Sequence, residues 1–415
     1  MPSTLAVIAV DGGDLSLGGG LLALIRPALS LLDEGGVLAL LTSNRDLDQD
    51  LPSWCRAERH EYLGAEKAGE GRQRHLIGRG NTGQRTDVVT ETEPMRSAGP
   101  RLTTADFLAA SPMPEHADPS TGFAPRGVAV ETGGPAYPFD LIDKSHVAPP
   151  EVAALYDQAV GAQWDASRDI PWSKVGSHPQ EIDAAIRQIM TFLAENELSA
   201  LYLPSKFISR IHPAYVEVAM FLATQLQDEA RHIDVFLKRA RLAGGFAIST
   251  VATSRSLLSL LQLQDFSEAA FLLSVLGEGT FLDLLAFIER YAPDEATAEL
   301  VRRARNDESR HVHFGLAHVR HALTSDPSLY RRLENAVRNR AATLAGIAGV
   351  PAPVQDALTL LAAGGPEPEK IARGHEAYRE LLETMHASRI KRLLHAGFTA
   401  EQAETISALH TPNFM

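Results

Sequence analysis

The sequence predicts a mostly α-helical protein, a four-helix bundle with extra C-terminal helices preceded by a small α+β unit. Three observations carry this reading. A helical period of apolar residues runs from Pro149 to about residue 348. Ala and Leu are abundant while aromatics make up only 6% of the 415 residues, which favours helices. Stretches alternating between strand-like and helix-like patterns are confined to residues 1–80.

Within residues 1–80, Leu5 to Val10 is a short apolar run with β-branched members, followed by a Gly-rich turn from Asp11 to Gly20. Leu21 to Leu32 reads as a helix that Gly35-Gly36 breaks, and Val37 to Thr42 reads as a second strand. Asp50 to Arg59 suggests another helix, ahead of two short strands around Glu61 to Leu63 and His75 to Ile77. Residues 81–145, rich in Gly, Pro, Thr and Glu without periodicity, read as a linker partly ordered against the helices. The bundle follows over 146–348. Pro351, Pro353 and Gly364-Gly365-Pro366 then punctuate a helical tail over 349–415, which ends in a non-helical stretch from His410.

Composition excludes several classes of function. A formal net charge of -13 argues against a nucleic-acid surface, which needs clustered Lys and Arg. The single cysteine, Cys55, rules out an internal disulfide framework and a thiolate zinc site. No signal-peptide pattern opens the chain, and no segment has the roughly 18 to 20 uninterrupted apolar residues that span a bilayer. The expectation is a soluble, cytoplasmic protein without membrane or nucleic-acid partners; a homodimer is left open.

Two pentapeptides repeat, Asp228-Glu229-Ala230-Arg231-His232 and Asp307-Glu308-Ser309-Arg310-His311. Each holds a Glu-x-x-His pair, which a helix places on one face. Leu222, Leu226, Ile233 and Phe236 share the face of Glu229 and His232, and Val301, Ala304, Val312 and Gly315 that of Glu308 and His311. Two further glutamates lie on apolar stripes: Glu197 with Ile189, Leu193, Ala200 and Leu201, and Glu278 with Phe271, Val275, Leu282 and Leu285. Glu195, beside Arg187 and Ser199 on a more polar face, competes with Glu197 for the first position.

A lone Glu-x-x-His is commonly a surface accident. Four carboxylates facing one core are different, because a buried unpaired carboxylate is costly or protonated. Two divalent cations would compensate them, with His232 and His311 completing the sites. One Glu from each of two helices plus Glu-x-x-His from each of two others is the ligand set of di-iron and di-manganese bundles. Imidazole and carboxylate ligands with open positions suit iron or manganese. The chain order, Glu197, Glu229/His232, Glu278, Glu308/His311, is one helix pair used twice.

The doubled Asp-Glu-x-Arg-His resembles the di-iron motif of the bacterial multicomponent monooxygenase hydroxylases. More loosely, it resembles that of the ribonucleotide reductase small subunit. The likeness covers residues from about 150 to 345 and implies a ferritin-like bundle holding two Fe ions, with a mixed Mn/Fe pair also allowed. It implies that Asp228, Arg231, Asp307 and Arg310 orient the ligating imidazoles; for the arginines, ordinary helix salt bridging is the alternative. It further implies O2 activation and hydroxylation, epoxidation, N-oxygenation or desaturation of a small organic substrate. A separate reductase would donate electrons, since Asp11 to Gly20 is a poor match to G-x-G-x-x-G.

A radical-generating or ligand-binding oxidase of the reductase small-subunit type, or a non-catalytic ferritin-like metal-binding protein, is the alternative. Tyr202 is a radical or proton donor or else a buried structural tyrosine. His313 and His318 follow the second pair, and His318 is a third histidine ligand or a core histidine. The segment Gln163-Trp164-Asp165 through Trp172 reads as a plug closing the bundle.

The N-terminal unit resembles the TusA family of small sulfur carriers in its β-α-β-α-β-β order and in Asp50-Leu51-Pro52-Ser53-Trp54-Cys55. Where those carriers place a reactive Cys-Pro-x-Pro, this chain has Leu17-Gly18-Gly19-Gly20, so the reading is a docking or regulatory module. Cys55 is expected to be a core thiol.

Overall fold

A computed structural model describes residues 8–80, 102–109, 111–128, 130, 133–345 and 350–410. It divides the chain into two compact units, residues 1–89 with 129–134, and residues 90–128 with 135–415.

The first unit is a four-stranded sheet backed by two helices. Strand β1 (Ile8–Gly13) runs into helix α1 (Leu22–Ser30), then β2 (Val37–Thr42), α2 (Leu47–Ala57), β3 (Glu61–Gly69) and β4 (Arg72–Gly78). The strand order is β1-β2-β4-β3, with β1 and β2 parallel and the other pairs antiparallel. A parallel pair needs a crossover, and α1 supplies it. Leu21, Ile25, Leu29, Leu38, Leu51 and Ile77 form the core between helices and sheet.

The last two strands make a longer hairpin than their apolar content suggests, because most of β3 is exposed and carries little hydrophobic signal. The start of the expected first strand, before Ile8, lies outside the described residues. The Gly-rich stretch is not one turn: β1 extends to Gly13 and a 3₁₀ turn covers Leu17–Gly19. Cys55 is fully buried, and burial pushes its thiol up to about 11. Alkylation of folded protein by iodoacetamide at pH 8 should therefore be far slower than that of urea-unfolded protein, as mass spectrometry would read.

The second unit is helical. Short helix α3 (Thr104–Ala109) and α4 (Val152–Gly161) precede the long helices α5 (Gln180–Ile208) and α6 (Val216–Leu242). Helices α7 (Val251–Leu261) and α8 (Phe266–Ala270) lead into a π-helical segment, Phe271–Glu278, continued by α9 (Gly279–Arg290) and α10 (Glu295–Ser325). Next come α11 (Leu329–Thr343), α12 (Ala352–Ala363), α13 (Pro368–His395) and α14 (Ala400–Leu409). Helices α5, α6, α10 and the continuous Phe266–Arg290 stretch form the central four-helix bundle.

Caps set the boundaries. Asp294 accepts from Thr297 N at the start of α10 and also binds Arg239 at 2.8 Å and His178 at 3.0 Å, fixing the end of α6 to the start of α10. From the expected linker, Arg126 and Ile142 lie against this bundle, through a buried Arg126–Glu217 ion pair and the Tyr215 hydroxyl donating to Ile142 O at 2.6 Å. The C-terminal helices share the bundle's core: α12 packs on α5 and α13 on α9, with Leu358, Leu361, Leu381 and Leu393 buried among bundle residues. Residues 346–349 and 411–415, at the edges of the expected bundle and tail, lie outside the described residues.

The π-helical segment revises the expected stripe around Glu278. All eight of its residues are buried, whereas Leu282 is only half-buried. An i→i+5 pattern inserts an extra residue into the turn, so a strict 3.6 period fails across it. The Phe266–Arg290 helix contains no uninterrupted apolar run of spanning length, yet it is apolar and long enough by composition to cross a membrane. Most of its apolar window, 83%, is buried inside the protein, as a core helix requires.

Helix α10 crosses the π-helical segment at Gly315, where an added Cβ would meet Ser274 Cβ at 2.6 Å. Gly315→Ala should cost about 1–3 kcal/mol through overpacking, read as a lower denaturation midpoint.

Candidate metal centre

The bundle brings together the four carboxylates and two imidazoles singled out from the sequence. Glu197 comes from α5, Glu229 and His232 from α6, Glu278 from the end of the π-helical segment, and Glu308 and His311 from α10. Their ligand atoms form two convergent groups, each within 4.8 Å: Glu197, Glu229, His232 and Glu308, and Glu229, Glu278, Glu308 and His311. Glu229 and Glu308 belong to both groups. All six residues are buried.

The histidines present Nδ1 to the centre. His232 Nδ1 lies 3.4 Å from Glu229 and 3.2 Å from Glu308, and His311 Nδ1 lies 3.0 Å from Glu229 and 3.4 Å from Glu308. Their Nε2 atoms face away, and here the two motifs exchange partners. His232 contacts Asp307 at 3.2 Å, and His311 contacts Asp228 at 3.3 Å. Each imidazole is thus oriented by the carboxylate of the opposite pentapeptide, which fixes its tautomer.

The arginines close this ring of charges. Arg310 binds Asp307 at 2.6 Å and Asp228 at 3.0 Å; Arg231 binds Asp307 at 2.9 Å and also Asp228. Each makes an i,i+3 salt bridge and a cross-helix one at once. The aspartates are held below the usual carboxylate range: burial raises them, but hydrogen bonds from the histidines outweigh it.

Three contributors were not legible as such. Trp164 donates its indole N–H to Asp307 at 2.7 Å, with the Arg231 guanidinium 4.7 Å from its ring. Gln163 donates to Asp228 at 3.3 Å and accepts from Arg231 at 2.6 Å. The expected plug therefore also braces the aspartates. Gln225 donates to Glu278 at 3.1 Å. It lies four residues before Glu229 on the same helix face, a spacing that could have flagged it.

Other candidates fall elsewhere. Glu195 is half-buried and outside both groups. Tyr202, expected to be buried, is 59% exposed. His313 is exposed. His318 is buried beside Phe266 and Phe314, bonded to Ser267 at 3.0 Å, and is not in either convergent group.

The centre fits two cations. Oxygens of Glu197, Glu229, Glu278 and Glu308 and both Nδ1 atoms are buried without hydrogen-bond partners. Such orphans are rare unless an ion or water satisfies them. Burial first, then the neighbouring glutamates, pushes Glu197 well above the usual carboxylate range. Glu278 is raised in the same way. Burial depresses His232 and His311, yet the surrounding carboxylates hold both well above the ordinary value. Without metal, Glu197, Glu278, His232 and His311 thus all favour their protonated forms. Bound cations would displace these protons, so metal affinity should fall as pH decreases.

No protein-family model matches the chain, and no curated protein matches it. Among solved structures, it is similar to an R2-like ligand-binding oxidase variant aerobically reconstituted with a Mn/Fe cofactor. The TM-score is 0.46 at 18% identity, over 58% of this chain and 92% of that one. A variant aerobically reconstituted with an Fe/Fe cofactor gives 0.45 at 19% identity, over 58% and 92%. At these values the likeness adds nothing to the geometry, on which the assignment rests.

Glu229→Ala or His311→Ala should lose bound metal, as elemental analysis of purified protein would show, while Cys55→Ser should keep it. Asp307→Asn should keep the fold and weaken metal affinity about 10–100-fold in competition with a chelator.

Proposed function

We propose that the protein is an O2-activating di-iron oxygenase or oxidase acting on a small organic substrate, with a mixed Mn/Fe pair as the variant composition. The observation that carries this reading is the set of orphaned carboxylate oxygens and imidazole nitrogens converging on one buried point. A closed structural metal site has no need of two ions sharing Glu229 and Glu308. When bound and reduced, such a metal pair supplies the electrons that activate dioxygen.

The side chains would divide the work. Glu229 and Glu308, which belong to both convergent groups, would serve both ions, while Glu197 with His232 and Glu278 with His311 would each complete one set. Gln225 donates to Glu278 Oε1, leaving Oε2 buried without a hydrogen-bond partner. Asp307 and Asp228 hold the imidazole rings.

A small cavity of about 20 Å³ borders this arrangement, lined by Gln225 and Ser274 and by apolar residues that include Leu203, Phe207, Leu222, Leu273 and Phe314. Its apolar walls would have to move apart to admit a substrate, and they would then favour an apolar group and keep water from the reacting atoms. Hydroxylation, epoxidation, N-oxygenation and desaturation all fit a bound apolar group. Electrons would come from an external donor protein. The small α+β unit, with a buried cysteine and a TusA-like order of elements, is proposed as a docking or regulatory module.

Radical generation, the rival reading, gains no support from Tyr202, which is exposed. The deciding experiment is anaerobic Fe(II) loading followed by O2 exposure with optical and Mössbauer detection. Oxidation of two irons per chain, lost in Glu229→Ala, is expected. Metal-replete protein that leaves O2 unconsumed would sink the proposal, and a tyrosyl radical signal would favour the rival.

A further inference from the structure

A second buried cluster carries the opposite charge. Arg389 and Arg392 sit one turn apart on α13. Arg389 donates to Ser407 Oγ on α14 at 3.3 Å, and His410, three residues beyond Ser407, closes that helix. Arg340 on α11 lies beside them, bonded to Ser256 at 2.8 Å and to Ser259. Arg340, Arg389 and His410 are each 8% exposed, and the Arg392 side chain 12%.

The carboxylate that Arg389 and Arg392 face is Asp283, 3.5 Å from Arg392. Among the described residues, the two guanidinium groups of Arg389 and Arg392 against this one carboxylate leave a buried positive excess. Several donors also stand unused: Arg389 Nε, Arg392 Nε and Nη2, and His410 Nε2 have no hydrogen-bond partner. Arg392 reaches this position over Gly279, where an added Cβ would meet its Nε at 2.5 Å. The arginine can lie there because that residue has no side chain.

We propose that Arg389, Arg392 and His410 form a binding site for a small oxyanion, a carboxylate or a phosphate group, in the C-terminal helical layer. Forked guanidinium donors match the paired oxygens of either group. The imidazole adds a further donor; burial first, then the three nearby arginines, holds it well below its ordinary value. The site lies outside the set of metal ligands, and it does not depend on the oxygenase reading.

The test is calorimetric titration of the metal-loaded full chain with inorganic phosphate and, separately, with acetate, at constant ionic strength. Saturable binding of at least one is expected, weakened about tenfold in Arg389→Gln with metal content unchanged. Should that variant fold poorly, His410→Gln serves in its place. Phosphate binding without acetate binding would assign a phosphate-bearing ligand, and the reverse a carboxylate. No saturable heat with either anion, or binding that both variants leave unchanged, would overturn the proposal.

Discussion

Carboxylates buried together in a helical core repel one another and lack the water that would solvate them. Glu197, Glu229, Glu278 and Glu308 come from four separate stretches of chain, yet all reach one point. No arrangement of apolar neighbours relieves that charge, so the bundle is stable only with compensating positive charge at its centre. The surrounding shell of Asp228, Asp307, Arg231 and Arg310 follows from the same demand. It pairs its own charges completely and so leaves the inner oxygens and nitrogens free to bind cations.

Much of the centre was legible because two independent signals coincide at each ligand. The helical period puts Glu197, Glu229 and Glu308 on inward faces, and the expense of burying a carboxylate gives the placement a reason. Glu278 was legible for a partly mistaken reason. Its neighbours are apolar all round, so a stripe can be drawn through them in several ways, and the π-helical segment that actually orients it leaves no mark in a 3.6-residue pattern. The failure is physical: periodicity reports a face only where the opposite face meets solvent.

What stayed hidden depends on contacts between distant residues. Trp164 and Asp307 are 143 positions apart, and nothing local to either residue announces their bond. The exposed face of β3 carries no apolar alternation, so its true length was invisible, and the C-terminal helices, with mixed polar and apolar faces, gave no sign that they complete the bundle's core. Tyr202 shows the converse error, since an aromatic ring one and a half turns from a ligand was expected inside and lies outside.

The exchange of aspartates between the two pentapeptides ties each imidazole to the hairpin that does not carry it. A half-length polypeptide with one such hairpin would have a histidine without its orienting acid and an acid without its histidine. Two of those halves, mated face to face about a twofold axis, would restore every bond. The exchange therefore ties the fate of either ion's pocket to the integrity of both hairpins.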